Sequence, residues 1–210
     1  MIKDFIVVHP RNIFSADAYD ERFDVVDMYD LPNMDLTSYT CMVVLGFVDQ
    51  DFLFEERAII EQFLKERKIV CFFGNLVTEW LPGQSLFIPK EIQHHSDYDV
   101  CIAQPHPIFE GVLEEHMTTN NGVKGFFARG HHPIQEGAEV LLTLRGGEPI
   151  AIIDRQATAG TIFLHAGNNL FSGIAMGPDG EKTTKRIPQQ LITWIQQEVK
   201  QLQKGASTHA

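Results

Sequence analysis

"CMVVLGFVDQDFLFEERAIIEQFLKERKIVCFFGN", residues 41–75, sets two all-apolar runs either side of a charged, periodic segment. The outer runs, within 41–47 and 69–73, are short and rich in branched and aromatic side chains. Such runs suit strands buried on both faces, as in a parallel sheet. Between them Ala58, Ile59, Ile60, Phe63 and Leu64 recur at helical spacing among charged residues, which predicts an amphipathic helix over 52–66. Asp51 is placed to cap its start, and Lys65, Arg67 and Lys68 suit its negative end. Strand, helix and strand in about 30 residues make a βαβ unit.

Working outward, "FIVV" (5–8) and "FDVVDM" (23–28) are two more strand candidates for the same sheet, and "TIFLH" (161–165) another. Residues 75–99 show no sustained period and read as a long connection. From Val123 onward "VKGFFARG", "AEVLLTL", "EPIAIID" and "GTIFLHAG" are separated by turn residues. They predict antiparallel hairpins appended to the parallel strands. Pro188 opens a terminal helix over 188–202, with Leu191, Ile192, Ile195, Val199 and Leu202 on one face. Residues 1–203 read as one α/β domain and 204–210 as a flexible tail.

Composition narrows the class. The chain of 210 residues is 44% apolar and 21% charged, as ordinary globular proteins are. No apolar run is long enough for a membrane span, and "MIKDFIVVHP" does not read as a secretory signal. A formal charge of −11 disfavours a nucleic-acid partner, which demands clustered Lys and Arg. The three cysteines, Cys41, Cys71 and Cys101, sit in apolar runs without CxxC spacing. That argues for a reducing, cytoplasmic setting and against a disulfide framework or a thiolate zinc site. A homo-oligomer is compatible with all of this.

Three stretches, "FVDQDFLFEERAIIEQFLKERKIVCFFGN" (47–75), "HPIFEGV" (106–112) and "GEPIAIIDRQATAGTIFLHAGNNL" (147–170), resemble the class I glutamine amidotransferase-like superfamily in its ThuA-like, trehalose-utilisation branch. The resemblance covers about residues 40–170 in order. It implies a flavodoxin-like three-layer sandwich with a mostly parallel central sheet, whose functional rim lies at the C-terminal strand ends. The glutaminases of that superfamily set a cysteine between glycines at a sharp turn after a strand, with a later His-x-Glu dyad. Here Cys71 is in mid-strand, the turn is Gly74-Asn75, and the dyad is missing. A thiol in apolar surroundings is a poor nucleophile, so Cys71 reads as a core residue and no catalytic residue is assigned.

The residues that stand at strand ends are His9, Asp49, Asn75 and His165, with Arg11, Trp80 and Asn168 close by in sequence. Neighbouring parallel strands would bring them to one rim as a site for a polar, sugar-like small molecule, with Trp80 as a stacking platform and Asp49 paired to an imidazole. Against this, His9 and Asp49 can simply close turns, and Asp is a routine helix cap. The adjacent pairs His94-His95 and His131-His132 lie among loop residues, where adjacent side chains diverge, and read as exposed rather than metal-binding. No metal or cofactor is called for. His106, before Pro107, shapes a turn. The competing reading is a non-catalytic module that docks a protein through the antiparallel edge and "GFFARG" (125–130). A concave rim favours the small-molecule site. A His9 or His165 directed into the core, or lying on the opposite edge from Asn75, would remove the site as drawn and favour the module.

Overall fold

The computed structural model describes residues 4–10, 19–120, 122–176 and 181–207. In chain order the strands are β1 (Phe5–His9), β2 (Phe23–Asp27), β3 (Cys41–Leu45), β4 (Ile69–Phe73), β5 (Ile88–Pro89), β6 (Val100–Ile102), β7 (Thr119–Asn120) and β8 (Val123–Lys124). They continue with β9 (Gly130–His131), β10 (Glu139–Leu144), β11 (Pro149–Asp154) and β12 (Thr161–His165). The helices are α1 (Gln50–Glu55), α2 (Arg57–Lys65), α3 (Glu114–Thr118) and α4 (Ile187–Ser207).

Eight strands form one sheet in the order β2-β1-β3-β4-β12-β11-β10-β6. The first five are parallel, and the last three add antiparallel to β12 and to one another. The two apolar runs of the opening stretch are therefore adjacent and parallel, Cys41 opposite Ile69 and Leu45 opposite Phe73. Side chains alternate between two cores because successive strand residues point to opposite faces. Phe5, Val7, Val43, Cys71, Phe73 and Phe163 pack with Leu191, Ile192 and Ile195 of α4. Ile6, Val8, Met42, Val44, Val70 and Phe72 pack on the other face with Leu53, Ile60 and Leu64 of α1 and α2. Helices thus cover both faces, which is why the central strands carry no polar alternation.

Several expectations are adjusted. The helix expected over 52–66 is two helices, broken at Glu56, where the Ile59 amide donates to the Glu56 carbonyl. Its cap is Asp49 rather than Asp51. The terminal helix runs from Ile187 to Ser207, so residues 204–207 continue it instead of fraying. Strand β3 stops at Leu45, two residues short of the expected end, because Gly46 turns against Gly74. "VKGFFARG" supplies no strand of the main sheet; only its ends join two-stranded ribbons. Cys71 is fully buried in mid-strand, its Sγ 3.8 Å from that of Cys41. Burial, and then the neighbouring thiol, push the Cys41 pKa well up.

Candidate functional site

The order β2-β1-β3 reverses direction at β1, and open parallel sheets leave a crevice beyond the strand ends at such a point. A cavity of about 1030 Å³ occupies that place. Its walls come from the ends of β1 (His9, Pro10), β3 (Gly46, Phe47), β4 (Gly74, Asn75) and β12 (Ala166–Asn169), and from the segment 125–129.

Two close backbone approaches shape it. A Cβ on Gly74 would stand 2.4 Å from the Gly46 Cα, so the turns after β3 and β4 touch only because both residues are glycine. A Cβ on Gly167 would meet the Phe127 carbonyl oxygen at 1.8 Å. Here Ala128 bridges to Gly167, and the segment 125–129 is held over the end of β12.

His9 and His165 fall in one row of the sheet. Leu45 is opposite Phe73 and Phe73 opposite His165, while Val8 is opposite Val44, one residue before that row. Three strand spacings of about 4.8 Å separate the two imidazoles by roughly 14 Å. They share a rim and cannot share a proton. His9 lines the cavity although it is itself buried, at 7% exposed. His165 does not; it is fully buried, its Nδ1 is 2.9 Å from the Ile150 carbonyl, and no group stands in good hydrogen-bond geometry to its Nε2, although the Asn168 side chain and the Phe127 backbone are near. Its ring packs 4.9 Å from that of Phe127. Burial lowers its pKa to about 4, against the opposing pull of the Ile150 carbonyl and the Asn168 side chain.

The other expected site residues divide. Asn75 and Asn168 line the cavity with exposed side chains. Asp49 does not line it. Its Oδ1 accepts from the Phe52 amide at 3.1 Å and its Oδ2 from the Tyr29 hydroxyl at 3.1 Å. The Phe52 N–H, followed by the Tyr29 hydroxyl, holds its carboxyl below the usual range, so Asp49 caps α1 and pairs with no imidazole. Trp80 is corrected too: it is 1% exposed, edge-on to Phe72, and offers no stacking face. Arg11 lies outside the described residues.

The pair His131-His132 is not an exposed loop. His132 is 1% exposed and its Nε2 accepts from the Leu76 amide at 3.1 Å. Burial first, then the nearby His165 and His131, lower its pKa to about 3. His94 is exposed and caps a short 3₁₀ turn, and His106 likewise caps the turn at Pro107. Among the described residues no group of three or more His, Cys, Asp or Glu side chains could hold a metal ion, and no helix is long and apolar enough to cross a membrane.

Sequence reasoning missed the residue that sets the β4 turn. Gln50 is 8% exposed and donates from Nε2 to the Asn75 carbonyl at 2.7 Å. Its Oε1 accepts from the Val77 amide at 2.9 Å and the Trp80 indole at 3.1 Å. One side chain thereby fixes the loop that carries Asn75 and gives Trp80 its role as a buried anchor. A glutamine beside a helix cap carries no such signal in sequence. Phe47, Phe126 and Arg129 were missed as well. Phe47 is 90% and Phe126 57% exposed, both at the cavity.

No family model matches the chain, and no curated protein matches it. Among solved structures the cytoplasmic protein STM1381 from Salmonella typhimurium LT2 is similar at a TM-score of 0.42 and 13% identity, over 88% of this chain and 91% of that one.

Proposed function

We propose that the chain binds a polar, sugar-like small molecule in the cavity at the C-terminal rim of its sheet, on a glutamine amidotransferase-like scaffold of the ThuA-like kind that lacks glutaminase chemistry. The observation that carries the reading is the make-up of the cavity. Exposed carboxamides of Asn75 and Asn168 sit in a concavity walled by exposed Phe47 and Phe126. Carboxamides both donate to and accept from hydroxyls, and aromatic faces suit the C–H faces of sugar rings. The volume is at the upper end of small-molecule sites, about 300–1,000 Å³.

The burial of both histidines, His165 at 0% and His9 at 7% exposed, counts for the interaction module and takes His165 out of the site. The fold of "GFFARG" counts against the module. Phe127 is buried against His165, and the segment forms a cavity wall, leaving Phe126 as its single exposed aromatic. The concave rim supports the small-molecule reading.

A thermal-shift screen against mono- and disaccharides, polyols, nucleotides, amino acids and divalent metals tests the reading. A carbohydrate at a hundred times its Kd should stabilise by about 2.7 kcal/mol. Asn75→Ala and Phe126→Ser should each abolish the shift without changing the unliganded melting temperature by more than a degree or two, roughly the effect of a surface change. A screen without a carbohydrate response, or a response both variants keep, would refute it.

A further inference from the structure

The charge of the cavity lining runs against that of the chain. Asp and Glu number 28 against 17 Lys and Arg, yet no carboxylate is among the described residues that line the cavity. One guanidinium is there, that of Arg129. Its Nε donates to the Gly125 carbonyl at 2.9 Å, which ties the fork to the cavity wall. Arg22, Arg145 and Arg155 each pair with a carboxylate, whereas Arg57, Arg67, Arg186 and Arg129 have none within ion-pair distance among the described residues; of these four, Arg129 is the one among the described cavity-lining residues. The residue is exposed, and no described residue accepts a hydrogen bond from its two terminal nitrogens.

A tethered guanidinium with free terminal nitrogens presents the planar fork that carboxylate and phosphate oxygens fit bidentately. The remaining negative charge of the protein opposes an anion only weakly at this spot, because charges beyond about 8 Å are screened at physiological salt. A contact pair is not screened in that way. A neutral ligand would leave the one Arg, Lys, Asp or Glu among the described lining residues without a role.

We propose that the ligand is an acid: its carboxylate or phosphate monoester pairs with Arg129, and its hydroxylated body lies on Asn75 and Asn168. This rests on the reading of the cavity as a small-molecule site and narrows the class of ligand.

Titration calorimetry with glucose, glucuronate and glucose 6-phosphate tests it, on the wild-type chain, Arg129→Gln and Arg129→Lys. The Arg129 Nε–H resonance followed during addition of inorganic phosphate supplies an independent reading. At least one anionic sugar should bind about tenfold more tightly than glucose, as a charge-assisted bidentate pair allows; which one does so separates carboxylate from phosphate. Arg129→Gln should erase the gap and leave glucose unchanged, and Arg129→Lys should keep part of it. The Nε–H signal should shift saturably with phosphate. If glucose binds as tightly as both anions, or Arg129→Gln weakens all three alike, the acid is refuted while the small-molecule site stands. If no sugar binds and phosphate still saturates the Arg129 signal, the acid stands and the sugar-like body is refuted. If neither occurs, both are refuted.

Discussion

At the β1 end of the cavity His9 still reaches the lining, while at the β12 end the segment 125–129 closes over His165. His9 and His165 end strands of the same sheet in the same row, yet one lines the cavity and the other is sealed below Gly167. The roof is the segment 125–132, which crosses β12, packs Phe127 on His165 and sends His132 down to the Leu76 amide. Both histidines are buried, and whether such a strand end reaches the cavity or is sealed from it depends on what folds over it. That cover comes from far away in the chain.

If the roofed side is dry and neutral, acid should open it. His132 and His165 have pKa values lowered to about 3 and about 4 in the folded chain, from 6.5 when free, by burial before all else. Below pH 6.5 the unfolded chain takes up protons that the folded chain refuses, so stability is whole above that pH and falls as pH drops toward 4. Two histidines over two units cost about 5 kcal/mol by pH 4.5, at 1.36 kcal/mol per unit each. Asp99 beside Lys124 and Asp20 beside Arg22 have lowered pKa values and hold their charge through most of that window. Urea unfolding at pH 7.0, 5.5 and 4.5 measures the loss. The double variant His132→Gln/His165→Asn should flatten the profile. An unchanged slope in that variant would mean the two imidazoles are hydrated, and the contrast between the sides would disappear.

Gly167→Ala attacks the roof directly. The new methyl would overlap the Phe127 carbonyl oxygen, a backbone atom that a side-chain rotation cannot move away. Lifting the segment 125–129 exposes Phe127 and His165, and the cost should be about 3 kcal/mol, at the upper end of overpacking penalties. The tertiary signal of Phe127, followed by proton NMR or hydrogen exchange of residues 125–132, should report the lifted segment. A variant as stable as wild type with the same exchange pattern would show that the roof does not depend on that contact.

The sheet was legible because it is written locally. Each parallel strand is a continuous apolar run, and the change of period at residue 49 marks the crossover. Half of the rim was legible for the same reason, since His9, Asn75 and Asn168 stand at the ends of those runs. The remainder depends on contacts across long separations that no period records. The carbonyl of Phe127 meets Gly167, and Gln50 reaches Val77 and Trp80. "GFFARG" looked like a strand because three of its residues are apolar or aromatic, although Gly125 has a φ of +82° and turns the chain there. Arg129 showed nothing in sequence, because a guanidinium stands out only once its neighbours are seen to lack carboxylates.

The smallest effect separates a rim residue from one merely near the rim in sequence. Asp49 follows β3 as Asn75 follows β4, and the two looked equivalent. In the structure Asn75 lines the cavity, whereas both Asp49 oxygens are taken, by the Phe52 amide and the Tyr29 hydroxyl. Asp49→Ala should therefore cost about 1 kcal/mol, the usual loss for an N-cap, and leave any cavity ligand bound as before. Asn75→Ala should do the reverse, with unchanged stability and lost binding. Denaturation midpoints and ligand titrations on the two variants read both quantities at once. Should Asp49→Ala weaken binding while its melting temperature holds, the carboxylate would belong to the site after all. The crevice would then extend past α1, and the charge argument for Arg129 would have to include a second, opposite charge.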